Sequence, residues 1–111
     1  MDLVFSDFEK VAMHVGTIIA ANDFPEARKP AYQLTIDFGE IIGIKKTSAQ
    51  ITQRYTKDTL IGRQIIAVVN FPKKQIGKFM SECLVLGAVG NDGAVILLAP
   101  DTKIENGLRI G

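Results

Sequence analysis

Between Val68 and Leu86, two apolar, strand-like runs flank a segment holding Asn70, Phe71, Lys73, Lys74, Gln75, Lys78, Phe79 and Ser81. Cations in such a loop attract a phosphate backbone in a salt-sensitive way, while rings and amides meet the faces and edges of unstacked bases. The residue types suit an RNA-binding surface, and none of them forms a bond-breaking centre. Lys45, Lys46, Lys74 and Lys78 are the candidates for phosphate contact, with Arg28 and Lys29 at the rim. Ser48, Asn70, Gln75 and Ser81 are candidates for hydrogen bonds, and Phe71 and Phe79 for stacking. Plainer uses compete with each of these. A lysine pair is often only a solvated face, Phe71 before Pro72 could equally plug the core, and Phe79 beside Met80 could be half-buried packing. A different ligand is also open: Phe24, Phe71, Ile76, Phe79 and Met80 could line an apolar groove for unfolded polypeptide, since methionine and aromatic side chains adapt to varied partners.

Little else in the chain could do chemistry. His14 is the sole histidine and has no carboxylate or cysteine at a fixed spacing. Cys83, in Glu82-Cys83-Leu84-Val85-Leu86, reads as a small buried hydrophobe. No Cys-x-x-Cys, His-Glu-x-x-His or calcium-loop pattern occurs, so neither a metal nor another cofactor is expected. Gly90-Asn91-Asp92-Gly93 lacks the lysine and following helix of a phosphate cradle and reads as a hairpin turn. Asp37 and Glu40 flank a turn at Gly39 and read as solvated carboxylates. The chain is not expected to be an enzyme.

The elements that must position these residues are short. Ser6-Asp7-Phe8-Glu9 fits a capping box, with Asp2 an earlier alternative cap, and predicts a helix of about two turns. Its Phe5 and Phe8, three apart, share one face. Val15 to Ile19 turns to β-type residues, and a polar loop with Pro25 and Pro30 follows. Tyr32 to Asp37 alternates as a half-buried strand, and its expected partner is Ile41 to Ile44 after a turn at Gly39. Ser48 to Tyr55 suits a short helix or turn, and Thr56 to Gly62 a capped turn stopped by Gly62. Arg63 to Val69, Met80 to Ala88 and Ala94 to Ala99 read as strands. About five β segments without a βαβ rhythm predict an all-β, five-stranded antiparallel barrel of the OB type with short N-terminal and connecting helices.

The totals bound the partners. The 111 residues, 47% hydrophobic, fit one domain over 1–111 with a modest core. A net charge of +1 excludes the field of a strongly basic nucleic-acid binder, so affinity must come from local clusters. One cysteine excludes an internal disulfide framework and suggests a reducing compartment. No apolar run approaches a membrane span, and the N-terminus lacks a signal-peptide pattern. A cytoplasmic protein without membrane insertion is expected.

The chain resembles the tRNA-binding-domain family, and within it the CsaA branch. The likeness rests on Asp7-Phe8-Glu9-Lys10-Val11 leading to Val15-Gly16-Thr17-Ile18, on Phe24 to Tyr32, and on Ile36-Asp37-Phe38-Gly39. It continues through Gly43 to Ile51, Val69 to Gly77, Phe79-Met80-Ser81-Glu82 and Asn106-Gly107. The resemblance implies an OB-fold, binding of tRNA, and a homodimer. In that dimer the extensions 1–12 and 100–111, with Phe5, Phe8, Leu108 and Ile110, pack across the two-fold. It also implies an export-related chaperone role towards unfolded presecretory proteins. Two departures stand out: Ala12-Met13-His14 replaces an acidic, an aliphatic and an arginine residue. The Ser-x-Gly-Met of synthetase-type domains reads Ser81-Glu82-Cys83-Leu84 here, with Ile76 rather than a basic residue before Gly77. The second departure favours the CsaA branch.

Overall fold

The computed structural model describes residues 1–111. Its organising element is β1 (Met13–Asp23), long enough to serve two neighbours. Its first half pairs antiparallel with β4 (Gln64–Val68) and its second half with β2 (Tyr32–Asp37). Between the halves Ile18 pairs with Ile36 and Ala20 with Thr35, so Ile19 is an extra, exposed residue and β1 bends there. Gly16 sits at this curve because a Cβ would lie 2.6 Å from Ile36 and 2.7 Å from the Phe38 ring. β2 continues the sheet to β3 (Ile44–Ala49), and β4 pairs with the two-residue β7 (Leu84–Val85).

The strand order β3-β2-β1-β4-β7 is closed by one backbone hydrogen bond and several from side chains. The free edge of β3 meets residues 81–83: Glu82 N–H donates to Lys46 O at 2.7 Å, and the Glu82 carboxylate accepts Lys46 N–H at 2.9 Å. Ser81 Oγ accepts Ser48 N–H at 3.3 Å, and Thr47 Oγ1 donates to Cys83 O at 2.6 Å. The result is a nearly closed five-stranded antiparallel barrel of the OB type, as expected. Its interior holds Ile18, Leu34, Ile36, Phe38, Leu60 and Ile65, each fully buried, which stabilises the fold by about 1.5–3 kcal/mol per large side chain.

Two hairpins stand on this frame: β5 (Lys74–Ile76) with β6 (Phe79–Ser81), and β8 (Gly87–Val89) with β9 (Val95–Leu97). The second turns through Gly90-Asn91-Asp92-Gly93 as predicted, with Gly93 at φ +83°. The short helices are α1 (Phe5–Glu9), α2 (Gly39–Ile42) and α3 (Lys57–Leu60). Around α3, Thr56 N–H donates to Thr59 Oγ1 and Gly62 has φ +85°, matching the capped turn.

Four local expectations are corrected. Ser6 lies inside α1 rather than capping it, and neither it nor Asp2 is the cap. The N-cap is Val4, whose carbonyl accepts Asp7 N–H, an earlier start that leaves the Phe5 and Phe8 rings 6.0 Å apart. The segment 41–44 is not a strand. The Asp37 carboxylate accepts Gly39 N–H and Gly43 N–H donates to Gly39 O, winding 39–42 into α2 and shifting the strand to Ile44–Ala49. Ser48 and Ala49 are therefore strand residues, not part of a helix or turn. Met80 to Ala88 is three short strands, because residues 82–83 leave the ladder to close the barrel.

Candidate nucleic-acid interface

Two clefts adjoin on the outer face of β3, beneath the β5–β6 hairpin. Ser48 and the following Gln50 are two residues apart and so project to the same side, opposite the buried Thr47 and Ala49. Lys74 and Ile76 project from β5. These four residues wall both clefts and form the ridge between them.

On one side lies a cleft of about 560 Å³ walled by Arg28, Lys29, Lys74 and Gln75, with Glu26 as its one carboxylate. Only three of its eleven wall residues are apolar. Its cations come from the β1–β2 loop and from β5, held together because the Phe24 and Phe79 rings pack 5.2 Å apart and pin the hairpin to that loop. On the other side is a recess of about 510 Å³, with eight of thirteen wall residues apolar. Phe71 stands at this recess, 55% exposed. Ser81 reaches it too, with its hydroxyl already engaged by Thr47 and Ser48.

The remaining candidates fall elsewhere. Lys46 is exposed two residues before Ser48 and shares its face, so it extends the cationic stripe along β3. Lys45 has the inward parity of Thr47, and its charge is felt at Glu82 and Cys83. Lys78 lies at the hairpin turn beside Phe24, Glu26 and Gln33. Lys73 pairs with Glu82 at 3.3 Å. Asn70 walls neither cleft. Its amide donates to Lys10 O at 2.7 Å and accepts Ala12 N–H at 3.1 Å, tying the segment after α1 to the segment before Phe71. Among the apolar set, Phe24 is buried against Phe79, and Met80 pairs with Gln75 on the hairpin face opposite Ile76. Phe71 and Ile76 alone of that set wall the recess.

Gln50, Ile51 and Val95 escaped the sequence reading. The Ser48-to-Gln50 spacing carried the signal for Gln50, but only once 44–49 is a strand. Elsewhere, His14 Nδ1 donates to Gly107 O at 2.8 Å and pairs in backbone with Arg109. This holds the C-terminal segment on the start of β1, with Ile110 N–H donating to Met13 O. No three His, Cys, Asp or Glu side chains gather in a metal-binding group, and no helix is long and apolar enough to cross a membrane.

Residues 13–109 match the family model described as "Putative tRNA binding domain". The chain belongs to this family. Two solved structures resemble it throughout. Chaperone CsaA of Bacillus anthracis is 50% identical, with all of both chains covered and a TM-score of 0.94. The CsaA chaperone protein of Picrophilus torridus is 55% identical, covering 99% of this chain and 100% of that one, with a TM-score of 0.92. A methionine–tRNA ligase of Acidithiobacillus ferrooxidans is 35% identical over 104 residues, 94% of this chain and 15% of that protein. The chain thus spans about 15% of the length of such curated relatives, and the likeness is to one domain of them. In this chain, Asp37-Phe38-Gly39 and Asn106-Gly107 adjoin in space. A Cβ at Gly107 would sit 2.6 Å from Phe38 O, so the two segments lock where the C-terminal tail meets β2.

Proposed function

We propose that the chain is a non-catalytic tRNA-binding protein, acting in the cytoplasm as a homodimer and reading RNA shape and backbone. The observation that carries this reading is the cationic cleft, which joins Arg28 and Lys29 from one loop to Lys74 and Gln75 from another. Lys46 extends it along β3, and the match to a tRNA-binding family supports tRNA as the ligand. Lys78, at the hairpin tip, and Lys45 are peripheral in this reading. Met1, Leu3, Val4, Phe5 and Leu108 are exposed large apolar residues, which supports a dimer that covers Phe5, Phe8, Leu108 and Ile110.

A second reading is an export-related chaperone that holds unfolded presecretory polypeptide. The apolar recess with Phe71 and Ile76 favours it, as do the two CsaA structures, each of a protein named as a chaperone. A side-by-side titration with total tRNA and an unfolded presecretory polypeptide, at two salt concentrations, separates the readings. RNA binding weakens steeply with salt and with Lys29→Ala, since Lys29 walls the cationic cleft and not the recess, whereas apolar peptide holding responds to neither. Absence of tRNA affinity at low salt ends the first reading.

A further inference from the structure

The two clefts differ in kind, and phosphate binding uses only one. On the reading that the protein binds RNA, the cationic cleft accounts for the backbone, while the recess across the ridge is mostly apolar and suits a different part of the ligand. Its volume of about 510 Å³ lies in the range of small-ligand sites. Its polar groups are few: the Ser48 hydroxyl, the Gln50 amide and Lys74, all on the ridge shared with the cationic cleft, and the Ser81 hydroxyl, already engaged by Thr47 and Ser48. Phe71 offers a ring at the recess, and the preceding Asn70 is tied by two side-chain hydrogen bonds to Lys10 and Ala12.

A nucleobase turned out of its stack matches this juxtaposition. It has an apolar face for Phe71, a polar edge for Ser48 and Gln50, and a phosphate one sugar away for Lys74. A base inside an A-form helix cannot reach the recess, because its faces are stacked and its major-groove edge is recessed. We propose that the recess receives one unstacked nucleobase from a single-stranded stretch of RNA, with the adjoining phosphates running over Lys74 into the cationic cleft. A hydroxyl and an amide each donate and accept, so all four bases are accommodated. An apolar peptide side chain could fill the same volume. The neighbouring wall, with three cations to one carboxylate, makes a polyanion the complementary partner.

The test compares a blunt RNA duplex with the same duplex bearing a single-stranded extension that contains the fluorescent base aminopurine. The extension is expected to raise affinity about tenfold and to be quenched on binding, as base–aromatic stacking predicts. Replacing its bases with abasic sugars removes the gain on the unaltered protein. Phe71→Ala removes both gain and quenching, and Phe71→Tyr restores them. Equal affinity for both duplexes, without quenching, overturns the base site while leaving RNA binding intact. Loss of all RNA binding at low salt removes the parent reading as well. Unfolded polypeptide that binds in a Phe71-dependent way, with no gain from the extension, assigns the recess to peptide and overturns the proposal.

Discussion

At the scale of single residues, Thr47 and Cys83 decide how the barrel is sealed beneath the clefts. Thr47 is buried, and its hydroxyl donates to Cys83 O while standing 3.1 Å from Ser81 Oγ, which in turn accepts Ser48 N–H. Valine in its place keeps the shape but leaves the Cys83 carbonyl unpaired. Thr47→Val should cost about 1–3 kcal/mol in urea denaturation with an unchanged m-value, and Thr47→Ser should recover most of it. A loss within about 0.5 kcal/mol, the range of ordinary surface changes, would show that the closure does not depend on this hydroxyl. Burial pushes the Cys83 thiol up to about 11 against an ordinary 9.0, although Thr47 and the nearby Lys45 pull the other way. The thiolate is the reactive form, so Cys83 in the native protein should resist a disulfide reagent at neutral pH and react fully in denaturant. Rapid native labelling would contradict its burial.

At the scale of elements, the β5–β6 hairpin and the Glu82 crossing are the parts that bring the clefts into being. Phe79 is not among the residues of the cationic wall, yet its contact with Phe24 fixes Lys74 and Gln75 opposite Arg28 and Lys29. Phe79→Ala should speed amide exchange in 74–81 while leaving β1 and β4 protected, and should weaken tRNA binding. Glu82 makes the closure sensitive to acid. The Lys46 N–H, and then Lys73, hold its carboxyl below the ordinary 4.5 against partial desolvation. Because the folded value is the lower one, ionised Glu82 stabilises the fold above that ordinary value. The contribution disappears as pH falls from there through the folded value. Wild type should therefore exceed Glu82→Gln in stability at neutral pH, and urea midpoints measured down the acid limb should converge. Parallel curves would refute the linkage. The same elements mark where sequence was informative. The alternation of Tyr32–Asp37 and the turn at 90–93 are local patterns, and they were readable. The winding of 39–42 depends on the Asp37 side chain, and the break at 82–83 on acceptors that cross to β3, so hydropathy alone pointed to strands. Lys73, Lys74 and Lys78 look like one cluster in the chain, but a strand alternates and a hairpin turns. They separate to Glu82, to the clefts and to the hairpin tip. Asn70 looked like a base-edge reader because its two tertiary partners, Lys10 and Ala12, lie far away in sequence.

For the whole molecule, the near-neutral charge sets how binding must respond to salt. With a net charge of +1 there is little long-range field, so affinity comes from the few cations a bound backbone touches. Four of them, Arg28, Lys29, Lys46 and Lys74, lie along the cationic cleft and its β3 extension. With roughly 0.7–0.9 of a counterion released per phosphate contact, one protomer should give a log–log salt slope of about −3, and a dimer engaging one tRNA about −6. Lys74→Ala removes one contact per protomer and should flatten the slope by about 1 for each protomer engaged. Phe5 is 70% exposed on α1, so Phe5→Asp should fold normally while placing like charges across the proposed two-fold. Sedimentation of that variant should show a monomer, and titration with tRNA over a series of salt concentrations should give half the wild-type slope. Its affinity should fall by on the order of 100-fold, because linked sites gain at least that much from effective concentration. A monomeric variant that keeps the full slope and affinity would mean that one protomer's cleft accounts for all the RNA contacts, and the paired arrangement would have no part in binding.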